Sequence, residues 1–191
     1  MRVTLRNIGM LEADGGIVCV SPIASAKHWK GVAQDDSDND YYRLCDFLDD
    51  NYESFNTYRS DDGTEYITFS STSKSFALLL GKDSFCILEI EYLDDKSFFK
   101  HNSSIEVEVQ NDKKLGLSNF GGKLVVFDAA LDSSDIPFEQ SGLLRSLGNN
   151  HFEDIAIFEV LEGRYTVHPV AYLKENTVSL IGVSFVLYSS V

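Results

Sequence analysis

The four histidines are the first candidates for chemistry, because imidazole is the usual acid–base group and metal ligand near neutral pH. They are His28, His101, His151 and His168, and no two of them have the i, i+4 spacing of a helical metal site or a neighbouring cysteine. A zinc site would therefore require residues that only the fold brings together. We expect ordinary surface or boundary histidines, with no metal and no other cofactor.

The cysteines and serines show no familiar nucleophile pattern. Cys19, Cys45 and Cys86 are odd in number and lack Cys-x-x-Cys spacing, so we expect reduced, mostly buried thiols. The chain has no Gly-x-Ser-x-Gly elbow, phosphate-binding loop or dinucleotide fingerprint. The sequence therefore predicts a protein that is not an enzyme. The alternative is a small hydrolase that uses carboxylates and His151 or His168 in a cleft between β layers.

The charge of the chain favours some partners over others. Thirty acidic and 16 basic residues give a net charge of −14, which argues against a nucleic-acid partner because lysine and arginine hold phosphate backbones. Residues 35–62 contain ten acids and two bases, so more than half of the excess lies in this segment. A basic protein partner would suit it, although solubility alone is the ordinary explanation of a charge run.

Five aromatic residues are interleaved with these acids: Tyr41, Tyr42, Tyr52, Phe55 and Tyr58. Aromatic anchors surrounded by carboxylates can bury contact area while matching a basic protein surface. We therefore expect a partner-binding surface in this segment. Its candidate contacts are Asp35, Asp36, Asp38, Asp40, Tyr41, Asp49, Asp50, Asp61 and Asp62.

The stretch 13–31 is expected to organise the fold. Glycines at 15 and 16 predict a turn between a first strand at 2–8 and a second at 17–20, so the chain would open with a hairpin. Pro22 ends the second strand. Ile23, Ala26 and Trp29 recur every three residues, which places them on the inward face of a short helix that Gly31 ends.

Further strands follow from β-branched and aromatic runs bounded by turn residues. Residues 61–63 and 81–83 predict the tips of two hairpins, and glycine pairs or Glu-Gly at 121–122 and 162–163 predict two more turns. Ile105, Val107 and Val109 alternate with polar residues, as in a half-buried strand. Residues 40–50 fit either a helix or a strand, 94–102 fit a surface turn or a short helix, and 141–147 contain a possible helical turn.

These elements predict a mainly β (α+β) fold, with antiparallel sheets forming a sandwich or two packed β-rich halves and one or two short helices. We expect one domain over 1–191, or two closely packed halves at 1–95 and 104–191. The N-terminus lacks a secretory signal, and no apolar run approaches the ~20 residues of a membrane helix, so we expect a soluble cytoplasmic protein.

The order of several short motifs resembles the immunity protein 21 family of bacterial polymorphic toxin systems. The motifs are the Gly-Gly turn and strand, the step from Pro22 to Trp29-Lys30-Gly31, Asp40-Tyr41-Tyr42-Arg43-Leu44-Cys45, and the strand from Ala77 to Gly81. The run at 124–130 and Gly163-Arg164-Tyr165 are similar to the family's C-terminal elements.

This resemblance implies a cytoplasmic antidote that binds a cognate protein toxin and blocks it without catalysis. The partner would carry a basic surface, as a nuclease-like toxin does, and neither nucleic acid nor a membrane would be a partner. A structural β module that binds a ligand or sugar through exposed aromatic residues remains a third possibility.

Overall fold

Antiparallel strands dominate the described part of the chain. The computed structural model describes residues 2–32, 39–51, 53, 55–95, 97–110, 116–147, 151–174 and 177–190. Strands account for 57% and helices for 13%, which confirms the predicted mainly β (α+β) class with antiparallel sheets. The described chain contains three short α-helices, where one or two were predicted.

The elements have the following bounds. The strands are β1 (Arg2–Glu12), β2 (Ile17–Pro22), β3 (Phe55–Arg59), β4 (Glu65–Ser70), β5 (Ser75–Leu80), β6 (Ser84–Leu93), β7 (Ser104–Val109), β8 (Gly116–Asp128), β9 (Gly142–Leu144), β10 (Ile155–Lys174) and β11 (Val178–Ser190). The helices are α1 (Ile23–Ala26), α2 (Asp40–Asp50) and α3 (Phe98–His101), with a 3-10 turn at Ser133–Asp135. No helix of the described chain is long and apolar enough to cross a membrane.

The chain divides into two units, each assembled from separate stretches. The first contains Met1–Leu11, Ser75–Gly122 and Glu159–Val191, and the second contains Glu12–Lys74 and Lys123–Phe158. Residues 94–104, the boundary that the sequence favoured, lie inside the first unit, and each of the halves 1–95 and 104–191 contributes to both units. The single-domain interpretation stays a prediction.

In the first unit six strands form a closed ring. Their order is β11-β6-β5-β1-β7-β10, and β10 pairs back onto β11. Alternate residues point inward, so Leu5, Leu88, Val107 and Leu180 pack in one buried cluster. A ring of this size is filled by its own side chains, which explains the apolar runs of β5 and β6.

Four aromatic rings extend this packing. Phe85 stacks on Phe185 with a centroid distance of 4.4 Å, and Phe120 and Tyr165 lie 5.7 Å and 6.0 Å from Phe85. The Tyr165 hydroxyl donates a hydrogen bond to the Leu161 carbonyl at 2.8 Å. The cluster therefore buries large apolar rings while its hydroxyl keeps a partner.

In the second unit the strand order is β9-β10-β8-β2-β4-β3, and the unit's helices pack around Trp29. Trp29 is fully buried, as predicted, with ring centroids of Tyr66 at 4.8 Å and of Phe127 at 6.0 Å. Its indole nitrogen donates to the Ala129 carbonyl at 2.9 Å. The predicted helix is shorter than expected, because α1 ends at Ala26 and Trp29 lies beyond it.

Gly31 sits where the chain passes close to another backbone segment. A Cβ atom at this position would lie 2.2 Å from the carbonyl carbon and oxygen of Leu131. No real Cβ contact is that short, so the two backbone segments can approach only because residue 31 has no side chain.

Two predicted turns are wrong, because the strands continue through them. β8 runs through Gly122, which has φ +69°, and β10 runs through Glu162 and Gly163 as one strand of 20 residues. A glycine inside a strand can bend the backbone or allow close approach without reversing the chain. Close approach applies here, since a Cβ at Gly121 would lie 2.9 Å from Cγ of Glu162.

The predicted opening hairpin is also wrong. β1 pairs with β5 and β7, whereas β2 pairs with β4 and β8. The two shorter hairpins are confirmed, since β3 pairs with β4 and β5 with β6 in continuous antiparallel register. Residues 142–144 form a short strand in place of the possible helical turn, and 94–102 contain the short helix α3.

Replacing Trp29 by phenylalanine is expected to lower the free energy of unfolding by about 2–4 kcal/mol, because it removes buried ring volume and leaves the Ala129 carbonyl without its donor. The matched control is Tyr66→Phe, which removes only the hydroxyl that donates to the Ser25 carbonyl at 3.0 Å and should cost about 1 kcal/mol. Urea unfolding measures both. Equal losses in the two variants would contradict the central role of Trp29.

Candidate functional site

Helix α2 lies in the acidic segment and settles the ambiguity of residues 40–50. Its first turn is capped by Asn39, whose side-chain oxygen accepts a hydrogen bond from the Tyr42 backbone N–H at 3.0 Å. Leu44 is fully buried, and Leu48 packs against the core of the second unit. The helix is therefore amphipathic, and its opposite face meets solvent.

Asp40 is buried, so it holds the start of this helix and is not part of the exposed surface. Its Oδ2 accepts a hydrogen bond from the Lys30 N–H at 3.0 Å, and the Tyr41 N–H donates to the Lys30 carbonyl at 3.3 Å. Burial raises the pKa of Asp40, whereas the hydrogen bond from Lys30 lowers it. The carboxylate fixes α2 to the segment that follows Trp29.

Tyr41 is half-buried, and its hydroxyl lies against the turn at Gly15, where a Cβ would be 2.5 Å from the Tyr41 oxygen. Burial raises the pKa of Tyr41 to about 12, so the phenol stays neutral. Its ring contacts that of Tyr42 with a centroid distance of 5.7 Å. Tyr42 is 43% exposed and is the aromatic residue that α2 presents to solvent, although the sequence-based candidates did not include it.

Three acids lie on the same exposed side of α2 as Tyr42. Asp46, Asp49 and Asp50 follow Tyr42 at i+4, i+7 and i+8, the spacing of one helix face, and all three are exposed. We call Tyr42, Asp46, Asp49 and Asp50 the acidic face. Asp46 was not a sequence-based candidate, because its placement depends on whether the segment is a helix.

The acidic face opposes the stability of its own helix. Asp49 and Asp50 are in the last turn of α2, which contains no basic residue. The C-terminal end of a helix carries partial negative charge, so anions there are unfavourable. Within the described residues none of these three acids forms an ion pair.

The two acids at the β3–β4 tip have other roles. Asp61 forms an ion pair with Arg43, which joins the hairpin tip to α2 and compensates one negative charge. Asp62 accepts hydrogen bonds from the Ser60 hydroxyl at 2.6 Å and the Thr64 N–H at 2.9 Å. These hydrogen bonds lower the pKa of Asp62 to about 2, so it stays anionic at neutral pH.

The predicted contacts thus separate into distinct groups. Asp40 and the hairpin tip lie near the start of α2, whereas Asp49 and Asp50 lie near its end, roughly 14 Å away along the axis at 1.5 Å per residue. Asp35, Asp36 and Asp38 lie outside the described residues.

Two further carboxylates of the second unit are buried as structural anchors. The Asp128 oxygens accept hydrogen bonds from the N–H groups of Asp14 at 2.8 Å and Ala130 at 2.9 Å. Asp154 accepts from the Ser146 N–H at 2.6 Å and from its hydroxyl at 2.7 Å. Burial raises the pKa of Asp128 to about 6, against the effect of its two backbone donors.

The histidines and cysteines considered for catalysis or metal binding are not gathered at one site among the described residues. His151 is exposed, and Nε2 of His168 is 3.0 Å from the Thr166 hydroxyl. Burial raises the pKa of Cys19 and Cys45, and that of Cys86 to about 12, and all three thiols are free. Among the residues that the structure describes, no group of three or more His, Cys, Asp or Glu side chains is placed to hold a metal ion.

Comparison of the chain with protein-family models, curated proteins and solved structures gives no match. The resemblance to the immunity protein 21 family therefore stays a prediction, and the function has to be argued from the site itself.

Asp128 should make stability depend on pH between about 4 and 6. Its pKa is about 6 in the folded protein and about 3.9 when unfolded, so the folded state keeps the proton to higher pH, and ionisation of the buried carboxylate then costs stability. Asp128→Asn cannot ionise. The free energy of unfolding of this variant minus that of the wild type should therefore rise by about 2 kcal/mol from pH 4 to pH 7 in urea titrations. A constant difference would contradict this.

Reversing the charges at the end of α2 should stabilise the protein. Asp49→Lys with Asp50→Lys replaces two unfavourable charges by favourable ones, so we expect the free energy of unfolding to rise by about 0.5–2 kcal/mol at low salt. The matched control is Asp94→Lys with Glu159→Lys, which makes the same change in net charge at exposed positions outside α2. An equal rise in both variants would show that only the net charge matters.

Proposed function

We propose that this protein is a cytoplasmic immunity protein, which binds a basic protein toxin through the acidic face and blocks it without catalysis. The observation that carries the proposal is the placement of Asp46, Asp49 and Asp50 beside Tyr42. The three acids are exposed and form no ion pair among the described residues, and Asp49 and Asp50 lie in the last turn of α2, where they weaken their own helix. A local rule broken at a surface without structural compensation is typical of a functional site.

The composition of the face suits fast and specific association. Its carboxylates, in a chain of net charge −14, attract a basic surface before contact and accelerate the encounter. Tyr42 offers an aromatic ring that can be buried at the centre of the contact, where binding energy concentrates. The Tyr41 ring packs against the Tyr42 ring and is itself held against the turn at Gly15, so it limits the movement of Tyr42.

Inhibition would follow from competition for the same basic groups. An enzyme that acts on nucleic acid holds phosphates with lysine and arginine side chains. A row of helix carboxylates that binds those side chains would exclude the substrate from the same surface. The immunity protein then needs no catalytic group of its own.

The direct experiment uses the gene that lies next to this one, because an immunity protein is expected beside its toxin. The neighbouring product should be toxic when expressed alone, harmless when expressed together with this chain, and recovered in complex with it. A neighbouring product that is toxic whether or not this chain is present would overturn the proposal, as would the absence of any complex between purified proteins.

The triple variant Asp46→Lys, Asp49→Lys and Asp50→Lys should slow association with that product by at least about tenfold at low salt and flatten the salt dependence of the rate. Stopped-flow or biolayer interferometry measures the rates. The control is Asp83→Lys, Asp94→Lys and Glu159→Lys, which makes an equal charge change at exposed sites of the first unit. Because the test variant should not lose stability, slower binding cannot be attributed to unfolding. Equal slowing in both variants would argue against the acidic face.

A further inference from the structure

In the ring of the first unit, β7 and β10 are paired over only a short part of their length. Only two residue pairs join these strands, Val170 with Val109 and Ala171 with Glu108. Both strands continue past that point, since β7 stays paired with β1 back to Ser104 and β10 stays paired with β11 up to Lys174. Residues 104–107 and 172–174 are all described, and no residue of one segment is paired with a residue of the other.

The backbone groups of these segments point into the opening. The Gln110 N–H donates to the Pro169 carbonyl at 3.0 Å, on the β10 side, whereas the Asn7 N–H donates to the Ser103 carbonyl at 3.0 Å, on the β1 side. Backbone direction alternates along a strand, so even-numbered residues of β7 direct their N–H and C=O towards β10. Glu106 therefore presents both groups to the opening. Leu173 lies four residues after Pro169 and therefore has the same backbone direction, so its N–H and C=O groups face the opening from the β10 side.

A groove of about 330 Å³ lies at this opening. Its lining includes Arg2, Glu106, Glu108, Tyr172 and Leu173. Leu173 is 76% exposed, so its aliphatic side chain is available for contact at this opening. The groove thus combines unpaired strand edges, an exposed aliphatic side chain and carboxylates.

We propose that this groove binds an extended segment of a partner protein, which adds as a strand along the free edge of β7. Main-chain groups of an extended chain are the natural partners of a free strand edge, whereas alternate side chains give the specificity. The segment would alternate basic and apolar residues.

The outward side chains select a basic residue. Glu106 and Leu173 both point outward at the same level of the opening, by the alternation of their strands. A lysine or arginine opposite them would lay its aliphatic stem on Leu173 and bring its charge to Glu106. Arg2 lies 3.7 Å from Glu106 and compensates one carboxylate, so Glu106 and Glu108 together leave one negative charge for the added strand.

The inward positions select apolar residues. Ile105 and Val107 are already covered by the ring's own side chains, so an inward side chain of an added strand would meet mainly the half-buried Tyr172 at the border of the opening. A second copy of this chain fits poorly at its own β7 edge, because self-pairing would set Glu106 and Glu108 against the same acids. The acidic face belongs to the second unit, so this site can be tested without it.

The probe is a blocked heptapeptide of alternating valine and lysine, added to the full chain and followed by fluorescence anisotropy and amide NMR. We expect saturable binding at least about tenfold tighter than that of the valine–glutamate peptide, with shifts centred on residues 104–107 and 172–174. Methylation of the lysine backbone nitrogens should abolish binding, because those amides would face Glu106. Equal binding of the lysine and glutamate peptides, or of the methylated peptide, would overturn the proposal.

Variants of the protein locate the site. Glu106→Pro removes the N–H that faces the opening without removing a donor to β1, whereas Glu106→Ala removes only the side chain. Proline should weaken peptide binding beyond the loss caused by alanine, and Asp83→Lys should leave binding unchanged. Equal affinities of the proline and alanine variants would refute strand addition, as would a concentration-dependent dimer that forms through this edge and excludes the peptide. Thermal unfolding checks that each variant is folded. If the proline variant does not fold, binding of the methylated peptide to the wild-type protein tests strand addition instead.

Discussion

The burial of Trp29 is the constraint on which the candidate site depends. An indole N–H that is removed from water needs an acceptor, and the Ala129 carbonyl supplies it just after β8. Backbone bonds on either side, from Val32 to Ala130 and from Ser133 to Trp29, fasten the same segment. Lys30 is fixed as a result, and Asp40 uses its N–H to start α2. The direction in which the acidic face points therefore follows from one buried donor.

The acids of the second unit show why counting charges along a sequence identifies an acidic region but not which of its carboxylates are exposed. Asp40 and Asp128 are buried and bind backbone N–H groups, Asp62 shapes a turn, and Asp61 pairs with Arg43. Each of these carboxylates therefore has a hydrogen-bond or ion-pair partner within the protein. Only acids without such a role remain available to the proposed partner, and in α2 they occupy a single face.

How much the sequence could predict depends on how local the determining contacts are. The hairpins at 61–63 and 81–83 were predictable because a short turn and its flanking strands decide them. The long strands β8 and β10 were not, since a glycine bends or turns a chain according to neighbours that are remote in sequence. In the site, the exposure of Asp49 was predictable, whereas the burial of Asp40 depends on the backbone of Lys30. Tyr42 was recognisable as an aromatic residue among acids, but the face that it shares with Asp46 becomes recognisable only when the helix is known.

The close approach at Gly31 has an evolutionary consequence. Residue 31 cannot acquire a side chain unless the backbone at Leu131 moves, and Trp29, two residues earlier, fills the core. Acids on an exposed helix face have no such packing constraint, so they can be exchanged more freely. Descendants of a common ancestor should therefore retain a tryptophan and a glycine at this spacing while their acidic surfaces diverge. Common descent would then be easier to recognise from the buried residues of this fold than from the proposed binding face.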